Sequence, residues 1–171
     1  MKMTKRIGLK AALLAGATIL GASGAYAATA SGDMAVSATV TTTCTVSVGN
    51  MAFGNYAYNS ASDVDTSATV TVACGTEPDT ASLAVGAGSN VLTGQRRMQK
   101  GATSVFLNYD LYTATTRLVG EKIAVDGALP TGAFSGGQYT PVIYGRVPSL
   151  QTPAQAGSFT DTVAVTLTYT P

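Results

Sequence analysis

Residues 159–169 read FTDTVAVTLTY, and apolar and polar side chains alternate along almost all of this stretch. One row is large and apolar except at Asp161, and the other row is threonine with a single alanine. Side chains two positions apart share a face of a β-strand, so the pattern predicts a strand with one buried face. The apolar row consists of Phe159, Val163, Val165, Leu167 and Tyr169.

Shorter alternating segments recur between turn signals over much of the chain. Charged residues make up only 11% of the sequence, and helix-period apolar patterns are absent beyond the N-terminal leader. Thr, Val, Ala, Ser and Gly dominate, a composition typical of all-β domains. We therefore predict a two-sheet, immunoglobulin-like β-sandwich. Besides the stretch above, the candidate strands are 43–48, 68–74, 82–86, 105–112, 117–125 and 139–147.

The first 27 residues have the features of a secretory signal peptide. Four basic residues precede or enter a small or apolar run, 9–20, and Ala25-Tyr26-Ala27 supplies a cleavage signal. A transmembrane anchor is the alternative, but the run is about half of the roughly 20 residues that a membrane span requires. We expect cleavage after Ala27 and export, leaving about 144 residues, a length that suits one domain.

Removal of this leader changes the charge balance. The complete chain carries a net charge of +1, whereas the mature part keeps six basic and nine acidic residues, a net charge of −3. It contains no basic stripe interleaved with aromatic residues. These features argue against a nucleic-acid partner.

Two cysteines, Cys44 and Cys74, remain in the exported chain. An oxidising compartment favours one disulfide, which would stabilise the fold by roughly 3 to 4 kcal/mol through loop closure. A metal site is the competing interpretation, but the chain has no histidine and no CxxC pair. We predict the disulfide.

The start of the mature chain also alternates. Within the segment 28–41, which we call the N-terminal arm, a small or apolar row faces a mostly polar row. This arm could be the first strand of its own sandwich, or it could join a sheet edge of another molecule. The inward row would be Gly32, Met34, Val36, Ala38 and Val40.

The other end of the sequence bears on this choice. Only two residues follow Tyr169, so we expect no later strand of the same chain to cover the edge of the last strand. The amides and carbonyls of an uncovered edge need a partner. A strand supplied by another molecule would meet that need.

Several segments resemble one family over essentially the whole mature chain. They are Cys44 after the alternating arm, Phe53-Gly54, Cys74, residues 108–112 (NYDLY), residues 144–148 (YGRVP) and residues 157–169 (GSFTDTVAVTLTY). Together they resemble the spore coat protein U domain, a family that includes pilins of archaic, Csu-type chaperone-usher pili. The C-terminal third carries the most specific part of the resemblance.

The resemblance implies an incomplete sandwich of six strands, here residues 42–171, that lacks a seventh. A periplasmic chaperone would lend a strand, and at an outer-membrane usher the arm of the next subunit would replace it. Gly157 and Tyr169 fall where such pilins carry a glycine and a late aromatic on the chaperone-contacting strand. Ala38 departs from the bulky residue expected in the middle of a donor arm, which leaves the register open by two residues.

The resulting hypothesis is a structural pilin that polymerises by donor-strand complementation into a surface fibre for adhesion and biofilm formation. Its partners would be copies of itself or related pilins, the chaperone and the usher. The alternative is a secreted coat protein of a stressed or dormant cell surface. A tip adhesin is a weaker third possibility, because such subunits carry an added receptor-binding domain.

Catalysis and ligand binding have little support in the sequence. No histidine is present, and no Ser, Cys or Lys stands in a nucleophile motif, so we predict no enzyme activity, cofactor, metal or small-molecule substrate. Asp63 and Asp65 could form a loose metal or acid pair, but we expect a solvated loop. The basic cluster formed by Arg96, Arg97 and Lys100 is expected on a solvated strand edge. Gly132, Gly136 and Gly137 lack phosphate-loop spacing and are expected in turns.

Overall fold

The computed structural model describes residues 30–78, 80–130 and 132–170. The predicted signal peptide, 1–27, and the first two residues of the arm lie outside the described residues. The chain divides into two units at Ser37 and Ala38. In the first unit, residues 30–37 have no regular secondary structure, and the Met34 and Val36 side chains are exposed.

The second unit contains nine described strands and a single-turn 3₁₀ helix at Val119–Glu121. Six of these strands have five or more residues and three are shorter. In chain order the strands are β1 (Cys44–Val48), β2 (Val64–Cys74), β3 (Thr80–Val85), β4 (Arg96–Gln99), β5 (Phe106–Tyr112), β6 (Gly127–Ala128), β7 (Gln138–Tyr139), β8 (Val142–Val147) and β9 (Val165–Thr170).

Two antiparallel sheets are formed. The larger sheet has the order β1-β2-β8-β5-β4, with β7 also paired to β2, and the smaller sheet has the order β6-β3-β9. Strand β2 pairs with β8 through its first half and with β1 through its second half. In the smaller sheet β3 pairs with β9 from Thr80–Thr170 to Val85–Val165.

The core lies between these sheets and follows from the alternation of the strands. In β2, Val70 and Val72 are fully buried, whereas the intervening Thr71 is half-buried. Branched apolar side chains fit such a pleated, packed face well. The other fully buried large side chains are Val85 and Val147, and Tyr109 and Leu111 of β5 also join the core.

The disulfide predicted from the sequence is confirmed. Cys44 and Cys74 are paired, with a Cα–Cα distance of 4.1 Å, and they are also register partners of β1 and β2. Past this bond, the hydroxyl of Thr42 donates to the carbonyl of Thr76 at 2.9 Å. The all-β, sandwich-like prediction is confirmed as well.

One predicted strand is wrong. Residues 117–125 do not form a strand; they contain the 3₁₀ turn and a single bridge between Lys122 and Tyr112. Arg117 adopts a left-handed conformation, with φ of 50°, which an extended strand cannot contain. Glu121 closes the turn, because its carboxylate accepts hydrogen bonds from the Thr116 hydroxyl and the Leu118 amide.

The described parts of the chain include no helix long and apolar enough to cross a membrane.

Candidate functional site

Strand β9 lies at an edge of the smaller sheet. Among the described strands it pairs with β3 alone. Before β9 the same extended line of chain continues back to Phe159, and Thr160 exchanges two backbone hydrogen bonds with Gln99 of β4. We call the unpaired side of residues 159–170 the free edge.

The free edge offers backbone groups and side chains in one row. The Gly86 amide donates to the Ala164 carbonyl. In an antiparallel pair, this directs the N–H and C=O groups of the even-numbered residues toward β3 and those of the odd-numbered residues away from it. The odd-numbered residues are also the half-buried ones, while the even-numbered residues are exposed. A strand added here would therefore form a backbone ladder and contact the inward-facing row.

A cleft of about 480 Å³ runs beside the free edge. One wall is formed by residues 48–51 and Phe53, and the other by residues 159–163 and Val165. Its floor includes Val85, Tyr109, Leu111 and Ile143, core residues that are each at most 3% exposed. The cleft thus reaches the main core between the two sheets.

A second cavity, of about 680 Å³, continues the cleft. The two share Met51, Phe53, Met98 and Phe159, so these four side chains form the junction. Beyond the junction the cavity is bounded by residues 54–58 and 155–158. We call the cleft and this second cavity together the seam.

The opposite end of the seam is closed. The amide of Cys44, at the start of β1, donates to the Tyr169 hydroxyl at 3.4 Å. Because Cys44 is also bonded to Cys74 of β2, this end of β1 is covalently fixed to the larger sheet. Strands β1 and β9 are thus close at Tyr169 and separated by the cleft at Val48 and Val165.

Asp161 is the one acidic side chain in the cleft wall. Its Oδ1 accepts hydrogen bonds from the Ser89 amide at 2.9 Å and from Asn90 Nδ2 at 3.2 Å. Its Oδ2 accepts a hydrogen bond from the Tyr109 hydroxyl at 2.6 Å. Burial, together with this hydrogen bond, raises the pKa of Tyr109, so the phenol stays protonated and remains a donor.

The six residues predicted on the edge strand are not all in β9. Val165, Leu167 and Tyr169 are in β9, whereas Phe159 and Val163 precede it and line the cleft. Gly157 lies further back, in the wall of the second cavity. It has φ of 149°, and a Cβ there would lie 2.6 Å from Lys100 Cε.

The five predicted donor residues lie before β1. The structure assigns no strand to residues 30–43. All five are exposed, and Val40 retains 75% of its accessible surface. Residues 38–41 belong to no β-ladder of the described structure, and the first backbone pairing after them is the hydrogen bond from the Gly75 amide to the Thr43 carbonyl.

Both members of the acidic pair contact arginines. Asp63 lies in an exposed segment before β2, as predicted, whereas the prediction that Asp65 lies in a loop is wrong. Asp65 belongs to β2, and Arg146 of β8 contacts both carboxylates, at 2.8 Å for Asp65 and 3.2 Å for Asp63. Arg117 adds a contact to Asp65 at 3.3 Å. Hydrogen bonding from Arg146 lowers the pKa of Asp65. The described residues contain no cluster of three or more potential metal-ligating side chains.

The basic cluster was also partly mispredicted. Arg97 lies in edge strand β4, and its Cζ is 4.0 Å from the centroid of the Phe106 ring. Lys100 lies just past β4, and its amino group donates to Gln155 Oε1. Arg96, however, is only 3% exposed and points between the sheets. Its guanidinium donates five hydrogen bonds to the carbonyls of Val85, Gly86, Ile123 and Ala124.

The predicted glycine turn is present at Gly136 and Gly137, between Ser135 and Gln138. The sequence did not single out the cleft wall at Met51 or the role of Tyr109. The special position of Asp161 could have been inferred from the sequence, because it is the one polar residue in the apolar row from Phe159 to Tyr169.

Comparison with known proteins places this open-seamed sandwich in a family. The profile of the Spore Coat Protein U domain matches residues 30–166. The chain therefore belongs to the Spore Coat Protein U domain family, as the sequence resemblance indicated. No curated protein matched the chain.

A solved structure shares the fold. It is the crystal structure of the CsuC–CsuE chaperone–tip adhesion subunit pre-assembly complex from archaic chaperone-usher Csu pili of Acinetobacter baumannii. The matched chain is 21% identical, with a TM-score of 0.51. The match covers 75% of the present chain and 40% of that chain, so the similarity concerns the fold of one part of a larger protein.

Proposed function

We propose that the chain is a structural subunit of a chaperone-usher pilus and that it polymerises by donor-strand complementation. The observation that carries the proposal is the free edge of residues 159–170 beside a cleft that reaches the core. An inserted strand would satisfy the outward peptide groups and fill the seam in one step.

The N-terminal arm of another copy suits this seam. The arm, residues 28–41, has fourteen residues, enough to run along the twelve residues of the free edge, 159–170. Its inward row has small or aliphatic side chains, and the seam is lined by apolar groups such as Met51, Phe53 and Val163. The arm is therefore matched to the seam in length and polarity.

The proposed life history follows from export. The subunit passes through the periplasm, a chaperone covers its free edge, and an outer-membrane usher exchanges that strand for an arm. The product is an extracellular fibre that serves adhesion and biofilm formation. The subunit has no enzymatic role in this scheme. The proposed pilus role is supported by the family to which the chain belongs and by the fold that it shares with a chaperone–subunit complex.

Deletion of residues 28–40 tests the proposal. Co-expressed with its chaperone, the truncated protein is expected to form the same one-to-one complex as the full chain but no fibres by electron microscopy. Fibres assembled from the truncated protein would contradict the proposal. A full-length monomer whose arm is protected within its own sheet would contradict it equally.

A pair of point variants sharpens the same test. Val36→Asp would bring an unpaired charge into the apolar seam, so we expect it to abolish fibres. Ser37→Asp adds the same charge on the outward row and is expected to keep them. Equal loss of fibres in both variants would reject the inward row as assigned.

The alternative function is that of a coat protein that assembles without a chaperone. It would be indicated if surface assembly survived both the arm deletion and the loss of the chaperone and usher.

A further inference from the structure

The free edge is weakly held at the point where it crosses from one sheet to the other. Thr160 is bonded to Gln99 of the larger sheet, and Ala164 is bonded to Gly86, the residue that follows β3 of the smaller sheet. Between these positions, one hydrogen bond from the described residues reaches the backbone, from the Ser89 hydroxyl to the Thr162 carbonyl at 3.4 Å. Residues 161–163 therefore depend on side-chain contacts to stay extended.

The Asp161 carboxylate supplies those contacts at the crossing. It is tied on one oxygen to the turn at Ser89 and Asn90 and on the other to the buried Tyr109 of β5. Hydrogen bonds to an ionised acceptor are stronger than neutral ones. One side chain thus joins the free edge to both neighbouring parts of the fold.

The turn is shaped to receive this carboxylate. Gly88 has φ of 84°, a conformation that side-chain-bearing residues rarely adopt, and a Cβ at Gly88 would overlap Asp161 Oδ2. The backbone of the turn can approach the carboxylate closely only because position 88 is glycine.

We infer that Asp161 is the positioning residue for uptake of the donor arm, an inference that rests on the proposed function. It keeps residues 159–164 extended before the arm arrives, with their outward peptide groups aligned for pairing. A strand that docks on an edge already in place does not have to pay the entropy of ordering that edge. Loss of the carboxylate should slow the uptake of the arm while leaving the domain folded.

The test uses the full mature chain, refolded at low concentration, and a labelled synthetic peptide of residues 30–41 as the probe. The rate of peptide uptake is measured for the wild type, Asp161→Ala, Asp161→Asn and Tyr109→Phe. Asp65→Asn is the matched control, because Asp65 is also a hydrogen-bonded carboxylate but belongs to strand β2 outside the cleft. Thermal unfolding and amide hydrogen exchange are recorded for each variant.

We expect Asp161→Ala to slow uptake about tenfold or more, because the substitution removes the acceptor of three hydrogen bonds. Amide exchange should accelerate at residues 159–164, and Asp65→Asn should take up peptide at the wild-type rate. Asp161→Asn retains an acceptor oxygen and should recover most of the rate. Tyr109→Phe should slow uptake too, which keeps the test decisive should the alanine variant fail to fold.

Two results would overturn the inference while leaving the proposed function intact. One is wild-type uptake by Asp161→Ala, and the other is equal slowing by Asp65→Asn, which would reflect general destabilisation. Failure of the wild type itself to take up the peptide is a distinct result, and it would overturn strand uptake and this inference together.

Discussion

Arg96 carries a positive charge into the interior and bonds it to backbone carbonyls. Five donated hydrogen bonds, between 2.7 and 3.0 Å, reach four carbonyl oxygens at the end of β3 and at residues 123–124. Burial lowers the pKa of Arg96, since the charged form loses hydration. The side chain connects β4 of the larger sheet with the end of β3 in the smaller one.

Replacement of this residue should destabilise the fold strongly. Arg96→Met preserves the aliphatic length but leaves four carbonyls without their donors, and we expect a loss of about 3 kcal/mol in the free energy of unfolding. Arg97→Met is the neighbouring control and should cost under about 1 kcal/mol. Denaturant unfolding measures the free energy of unfolding of both variants, and a loss for Arg96→Met as small as the one expected for Arg97→Met would contradict this role of Arg96.

The sequence could not distinguish these two arginines. Adjacent residues in a strand face opposite sides, so the assignment requires knowing that a strand is present and which face is inward. The RRMQ segment has no apolar alternation, and its pairing with β5 depends on contacts with a distant part of the chain. Asp65 was mispredicted for a related reason, because its partner Arg146 lies on a strand far away in sequence.

At the scale of elements, strands were predictable where apolar and polar residues alternate. Residues 68–74 and 105–112 alternate, and both fall within or almost within observed strands. The segment 117–125 contains several apolar residues too, but its Leu118 and Val119 are exposed at the 3₁₀ turn. Apolar content alone did not reveal that the Glu121 carboxylate folds this segment back on itself.

The last strand illustrates a different limit. Its alternation runs from Phe159, yet the ladder with β3 begins only at Val165. The earlier residues keep the same inward and outward faces but pair with β4 at Thr160. Periodicity describes the faces of a strand correctly while leaving the identity of its neighbours undetermined.

The disulfide fixes β1 to β2 at one end of their ladder. Reduction of Cys44–Cys74 should lower the free energy of unfolding by roughly 3 kcal/mol, because the unfolded chain regains the freedom of the closed loop. Denaturant unfolding with and without reductant measures this, and a Cys44→Ser/Cys74→Ser variant should be unaffected by reductant. A loss smaller than about 1 kcal/mol would contradict this prediction and would indicate that the reduced unfolded chain regains little freedom.

At the scale of the whole second unit, the two sheets meet along one seam that is closed at Tyr169 and open from Val48 to Phe53. The sequence resemblance led to the expectation of a missing strand, but the position and length of the opening could not be predicted. They depend on how residues 48–58 and 155–165 pack, and these segments are far apart in the chain.

Fibres built by filling this seam should come apart slowly. Withdrawal of a strand breaks its ladder and its apolar contacts before any new contact compensates for them, so durability is kinetic. After dilution of fibres, we expect free subunits to accumulate over days. Val40→Ala should speed release about tenfold, and Thr39→Ala, on the outward row, should change it little.

The measurement is the soluble subunit concentration over time after dilution, followed by sedimentation. Release of subunits within minutes, with rapid reassembly on concentration, would contradict a kinetic origin of the stability.

The placement of Cys44 also has a mechanical consequence. Tension applied through the residues that precede β1 first meets the short pairing of Thr42 and Thr43 with residues 75–76 and then the sulfur bridge. From there a covalent path carries the load to Cys74 on β2, a strand with neighbours on both sides. The pull therefore bypasses β1, which cannot be peeled from its sheet from this end while the bridge is intact.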